Sequence, residues 1–202
     1  MCVFFLVTDN RGEGRVPLNW HARLTIIKGI ARGVAYLHHS LPSQRVPHAN
    51  LKSSNILIHH NNQHQYHPKL TDFGFLPLLH SPQQAQKLAI GRTPELSQGK
   101  RLNHKADIYC LGLVLLEIIT GHAPEEQEGG LPAWVTSVIR NEWSTEIFDL
   151  EIVAEREHHE QMLRLTDIAL QCTALEPGRR PNISVVVERI EEINEENNGQ
   201  GI

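Results

Sequence analysis

The chain has 202 residues, 40% hydrophobic and 21% charged, and a formal net charge of −4. That is one large domain or two small ones, with ample material for a core and the composition of an ordinary soluble protein. The acidic balance and the lack of a long basic stripe argue against a nucleic-acid surface. The three cysteines, Cys2, Cys110 and Cys172, are too dispersed for a disulfide framework or a paired zinc motif, which fits a reducing compartment.

Residues 1–7 are apolar but too short to span a bilayer, and no basic region precedes them. They read as a buried strand or segment, and 9–17 as a charged, glycine-bearing surface loop. From Leu18 the pattern becomes helical. Leu24, Ile27, Ile30 or Ala31, Val34 and Leu37 recur at three- and four-residue steps. Pro42 and Pro47 bracket the loop that follows. Short strands are predicted over 55–58 and 66–71, joined by a polar turn over 59–65. The turn's histidines invite a metal reading, but no Cys or acid joins them, and a solvated turn satisfies them equally.

Residues 75–105 lack periodicity and hold Pro77, Pro82 and Pro94, so they read as a long loop with room for a turn of helix. The stretch 108–119 is apolar on nearly every side, as expected of a helix inside a large core, and Gly121 is a natural stop. It is too short to cross a membrane and is interrupted by Gly112 and Glu117. After a polar loop with Gly129 and Gly130 come three amphipathic helices. They are marked by Trp134, Val135, Val138 and Ile139; by Leu165, Ile168, Ala169 and Cys172; and by Ile183, Val186, Val187, Ile190 and Ile193. The 177–181 stretch, Pro-Gly-Arg-Arg-Pro, separates the last two. The tail 195–202 is polar and expected to fray.

The chemistry concentrates in His48-Ala49-Asn50-Leu51-Lys52-Ser53-Ser54-Asn55 and in Asp72-Phe73-Gly74. These resemble the H-R-D-L-x-x-x-N catalytic loop and the D-F-G segment of protein kinases. Thr93-Pro94-Glu95 resembles the A-P-E that closes the activation segment, which makes 75–105 that segment. Matches at Leu18-Asn19-Trp20, Gly29-Ile30-Ala31-Arg32-Gly33, Tyr36-Leu37-His38 and Leu116-Glu117-Ile118-Ile119-Thr120-Gly121 resemble plant leucine-rich-repeat receptor-like kinases. The His48-Ala49-Asn50 loop is similar to the atypical, inactive branch of that group, where H-G-N and related loops occur.

The resemblance implies a mainly α, protein-kinase-like large lobe with one small β-hairpin over 18–194, after a hinge-proximal remnant over 1–17. It implies that Asn55 and Asp72 face magnesium, that Lys52, Asn55 and Asp72 face ATP, and that Lys52 lies near the transferred phosphate. It gives His48, Phe73, Gly74 and Asp107 structural roles, Asp107 holding the catalytic-loop backbone. It also pairs Glu95 with Arg180, a buried ion pair costly to break on one side.

Two departures oppose activity. Asn50 stands where the family has the Asp that accepts the substrate hydroxyl proton, and an amide cannot accept that proton at neutral pH. Ala49 replaces the Arg that meets an activation-loop phosphate. No G-x-G-x-x-G loop or V-A-I-K lysine precedes Leu18, so the small lobe that covers the nucleotide is expected to be missing and ATP binding weak or nil. Three readings follow: a pseudokinase that signals by binding proteins, such as a full-length receptor-like kinase; a serine/threonine kinase whose small lobe lies outside this sequence; and a non-functional product. A cytoplasmic location is implied, family members sitting in the plasma membrane with the kinase domain inside.

Overall fold

A computed structural model describes residues 2–5, 17–40, 47–61, 65–78, 81–100, 102–124, 127, 129–141 and 145–193. The predicted surface loop over 9–17, apart from Pro17, the tail over 195–202 and the tip of the histidine turn at 62–64 lie outside the described residues.

The first strand, β1 (Cys2–Phe5), precedes a long helix, α1 (Trp20–Ser40). Asn19 starts that helix by accepting the Ala22 N–H at 3.0 Å on Oδ1, an N-cap bond. Of the predicted stripe, Leu24, Ile27, Ile30, Ala31 and Val34 are buried and Leu37 is half-buried, while Trp20 and Ile26 extend the buried face. Trp20 also pins the helix start to distant chain, its N–H donating to Glu155 at 2.9 Å and its indole Nε1–H to Gln161 at 2.8 Å.

Two further strands follow, β2 (Ile56–His60) and β3 (Tyr66–Leu70). They pair antiparallel, Ile56 opposite Leu70 and His59 opposite His67. Two details correct the sequence reading. The predicted hairpin is part of a three-stranded sheet, because β1 pairs antiparallel with the free edge of β2, Cys2 opposite His60. The turn also begins later than predicted, since His59 and His60 belong to β2. The ladder continues there because buried Ile56 and Ile58 set an alternation that His59 follows on the other face.

Residues 75–105 are less loop-like than expected. They hold 3-10 turns at Leu76–Leu78 and Ala89–Arg92 and two single-turn helices, α2 (Pro82–Ala85) and α3 (Pro94–Ser97). The buried helix is α4 (His104–Thr120). It is capped by Asn103, whose Oδ1 accepts the Lys105 N–H, and stopped by Gly121 in the left-handed region at φ 70°. From Ala106 to Thr120 every residue except Tyr109 is buried.

Against α4 pack α5 (Leu131–Arg140) and α6 (His159–Cys172), while α7 (Ile183–Glu192) packs mainly on α1 and also on α6. The α4–α6 crossing is close. A Cβ at Gly112 would lie 2.8 Å from the Ala169 carbonyl and 2.7 Å from Thr173 Cγ2. The cysteines Cys110 and Cys172 are free and buried, and burial pushes the Cys172 thiol up to about 12.

One buried charge cluster holds α1 to the end of α4. Arg23 is fully buried and donates to the carbonyls of Leu18 (2.9 Å) and Ile118 (2.6 Å), and to Asp149 (3.0 Å) and Glu151 (2.7 Å). Each guanidinium nitrogen donates to at least one acceptor, which is what makes a buried cation tolerable. No helix among the described residues is long and apolar enough to cross a membrane.

Candidate active site

Asp107, in the first turn of α4, organises the site. Its carboxylate is buried and accepts the backbone N–H of His48 at 2.7 Å and of Ala49 at 2.9 Å. It also contacts His38 Nε2 from α1 at 2.9 Å, and the His38 ring stacks on His104 with centroids 4.2 Å apart. One side chain therefore ties the loop to both α1 and α4, while its charge sits at the positive end of α4. Charge-assisted bonds from two successive N–H groups fix the loop's direction. They hold Ala49 at φ 67°, a left-handed conformation that a side chain resists.

The next residues fold around that kink. The Asn50 N–H donates to His48 Nδ1 at 3.3 Å. Burial drives the His48 pKa below the usual histidine value, against an opposing pull from Asp107 and a smaller one from Asp72, which favours the neutral ring. Its Nε2 is buried without a hydrogen bond, and Phe73 meets the ring edge-on at 5.9 Å. Asn55 ends the 3-10 turn Ser53–Asn55 and donates from Nδ2 to the Asn50 carbonyl at 2.8 Å. That commits the amide nitrogen to the loop and leaves the amide oxygen as a hard donor. The Asn55 carbonyl accepts both Thr71 N–H (3.0 Å) and Thr71 Oγ1 (3.2 Å), which seats Asp72 beside the loop.

Asp72 is exposed and, like Ala49, left-handed, at φ 57°. Gly74 follows at φ 80°. An exposed carboxylate with an amide oxygen nearby is a donor set that suits magnesium. Lys52 opens the 3-10 turn, half-buried, and its carbonyl accepts the Asn55 N–H at 2.9 Å. So the fold brings His48, Asn50, Lys52, Asn55, Asp72 and Phe73 together, with Asp107 beneath.

Glu95 and Arg180 lie apart from this group and meet each other. Arg180 donates to both carboxylate oxygens, at 2.7 and 2.8 Å, with both side chains buried. Its guanidinium also reaches the carbonyls of Ala174 and Lys105, each at 2.7 Å, and lies over the Tyr109 ring at 4.9 Å. This fork anchors the end of the 81–97 segment to the helical core.

A protein kinase domain profile matches residues 11–190. The chain belongs to the protein kinase family. It is 37% identical over 216 residues to the leucine-rich repeat receptor-like protein kinase PXC1 of Arabidopsis thaliana, covering 97% of this chain and 32% of that protein. It is 40% identical over 197 residues to the probable inactive receptor kinase RLK902 of the same plant, covering 93% of this chain and 30% of the relative. This kinase chain thus spans about a third of the curated relatives it matches. Among solved structures, it is similar to the pseudokinase domain of BIR2, an immune regulator of the RLK/Pelle family, at TM-score 0.71 and 29% identity, covering 96% of this chain and 56% of that one. It also resembles the maize SIRK1 kinase domain bound to AMP-PNP, at TM-score 0.72 and 30% identity, covering 91% and 62%. The mainly α architecture with its small sheet is that of the kinase large lobe.

Three buried polar contacts, two of them in the site, escaped the sequence reading. His38 figured there only within a motif, yet it contacts Asp107 from α1. Arg23, away from the site, is a fully buried core residue. Ala89 donates its N–H to Asn50 Oδ1 at 3.1 Å. The first two carry polar groups at positions of the helical repeat that face inward, a signal that pattern reading could have used.

Proposed function

We propose that this chain is the large-lobe part of a receptor-like kinase that signals by binding proteins and not by phosphoryl transfer. The observation that carries this reading is Asn50. The site of the catalytic base holds an amide, buried, with its oxygen accepting the Ala89 N–H. An amide oxygen orients a hydroxyl but does not take its proton near neutral pH, so the general-base contribution, about 100- to 10,000-fold, is forfeited. The surroundings are built for shape. The Asp107 carboxylate, His48 Nδ1 and Asn55 Nδ2 all bond the loop's own backbone. Phe73 (49% exposed), Phe75 and Leu78 (67%) present apolar surface after β3 that a protein partner could cover.

A second reading, a serine/threonine kinase of low activity, is favoured by Asp72, Asn55 and Lys52. These suit a magnesium–nucleotide complex, in which the metal would neutralise phosphate charge. Here Asp72 and Asn55 would hold the metal by oxygen, and Lys52 would face the phosphates.

The deciding experiment is transfer of radiolabelled phosphate from ATP to a general protein substrate. It uses this chain alone and this chain joined to a nucleotide-binding small lobe, the latter also as N50D and as the A49R/N50D double variant for rescue controls. Binding-only function predicts background transfer by the parent and measurable transfer after rescue. Transfer by the parent that N50D does not raise would refute it. Micromolar binding of ATP with magnesium by calorimetry would support the second reading, and RLK-type partners are tested by co-purification from plant tissue.

A further inference from the structure

One side of α1 faces away from the core. His21, Thr25, Gly29 and Arg32 recur at steps of four, four and three residues, so they share a face of the helix. Beside them runs β3, brought close where Pro68 packs on Gly29 in space that a Cβ would fill. Between the two lies a groove of about 800 Å³, with Tyr66 and His67 on its far wall. His21, Arg32 and His67 are exposed, and among the described residues no Asp or Glu lines the groove. An imidazole donates an N–H in either protonation state, and a neighbouring carboxylate favours its charged form, so these walls suit an acidic occupant.

The chain supplies one. Helix α7 lies antiparallel on α1. Ser184 meets His39 at 3.4 Å near the end of α1, while Glu191 meets Arg32 at 2.7 Å and Lys28 at 3.5 Å, about two turns nearer its start. The chain leaving α7 therefore heads along α1 toward Thr25 and His21. Arg32 stands at the junction, holding Glu191 and lining the groove. The tail that follows, Asn194-Glu195-Glu196-Asn197-Asn198-Gly199-Gln200-Gly201-Ile202, opens with two acids. From Arg32 to His21 the helix runs about 16 Å, and such a tail reaches about 30 Å when extended. The hollow on the other side of α7 suits it less. Arg164 and Arg189 there already face Glu160 and Asp167, and Glu192 lines it.

We infer that the groove between α1 and β3 is a docking site for this chain's own segment 194–202, with Glu195 and Glu196 set against His21, His67 and Arg32. A tail with no apolar face has its charge to hold it. Tethering raises its concentration at the groove to the order of millimolar, so a few individually weak contacts suffice. The groove shares no residue with the catalytic loop, so the inference stands apart from the question of phosphoryl transfer.

The experiment places a nitroxide at N198C in the full chain, in a C2S background because Cys110 and Cys172 are buried, and reads amide line broadening by NMR at pH 6. The amides of Thr25 and His67 should lose their signals, while those of Arg164 and Ile168 on α6 keep theirs. E195K/E196K should return the lost signals, as should salt at about 1 M, where the Debye length falls to about 3 Å. H21E/H67E should return them too, and combining both charge reversals should broaden them again. His21 and His67 are exposed, so these changes leave the core alone. Broadening equal in the parent and in E195K/E196K would show mere nearness of a tethered label and overturns docking. Loss of the Arg164 signal in place of Thr25 puts the tail beside α6 and overturns it as well. Mixing spin-labelled chain with isotope-labelled chain that has no nitroxide tests the remaining occupant: broadening as strong as within one chain means the tail enters a second copy, which overturns docking within the chain.

Discussion

Arg180 is the place where one substitution should cost most. Its guanidinium forms two bonds to Glu95 and two short bonds to carbonyls, with both partners shut off from solvent. R180A would leave the Glu95 carboxylate buried without its cation and expose the orphaned carbonyls of Ala174 and Lys105 to a cavity. Breaking a buried pair on one side costs about 3–5 kcal/mol. Against a domain stability of about 5–15 kcal/mol, that is roughly a fifth of the total or more. E95Q keeps the shape but turns an amide N–H2 toward guanidinium donors and should cost less, about 2 kcal/mol. The double change E95L/R180M removes both charges together, so its loss should fall short of the summed single losses by about 2 kcal/mol. Urea unfolding followed by circular dichroism measures all of this. At a slope of about 2 kcal/mol per molar, R180A should move the midpoint down by roughly 2 M. A loss below about 1 kcal/mol for R180A, or strict additivity in the double variant, would refute a buried, coupled pair.

Three further outcomes follow from the same geometry. At Ala49 the left-handed backbone offsets the usual penalty of removing a buried methyl, so A49G should stay within about 0.5 kcal/mol of the parent; A31G in the interior of α1 should cost about 2 kcal/mol. Equal losses in urea melts would remove the argument from strain. His48 is held below the ordinary histidine pKa by burial, so the unfolded chain binds the extra proton first. Its stability contribution is therefore present above about pH 6.5 and erodes as pH falls through the window below that value, by at most about 1.4 kcal/mol per pH unit. H48Q should lack that part of the acid slope, and identical slopes would contradict it. G112A raises helix propensity by about 1 kcal/mol but drives a methyl into α6, so packing should decide the sign: lower stability by differential scanning calorimetry, where a gain would show that α6 yields.

The elements that could be read ahead of the structure are those whose cause is local. The period of Leu24, Ile27, Ile30 and Val34 in α1, and the largely apolar run of α4, record which faces meet the core, because burial of a face repeats along a helix. The loop around His48 was legible for another reason: a short run of residue types at fixed spacing is all that its fold needs. What stayed hidden is non-local and polar. A charged residue reads as solvent-facing until its partner is known, and Arg23 finds Asp149 and Glu151 on a distant turn. Pairing of β1 with β2 depends on an edge that no pattern within 2–5 announces. The same limit governs the base position. In sequence, Asn50 is a missing carboxylate, a loss of chemistry. In the fold its oxygen holds the Ala89 N–H while its carbonyl holds Asn55. A residue with two such bonds in a buried place is constrained by packing even where catalysis no longer constrains it. Substitutions at position 50 should therefore sort by whether they supply an acceptor, and not by whether they supply a base.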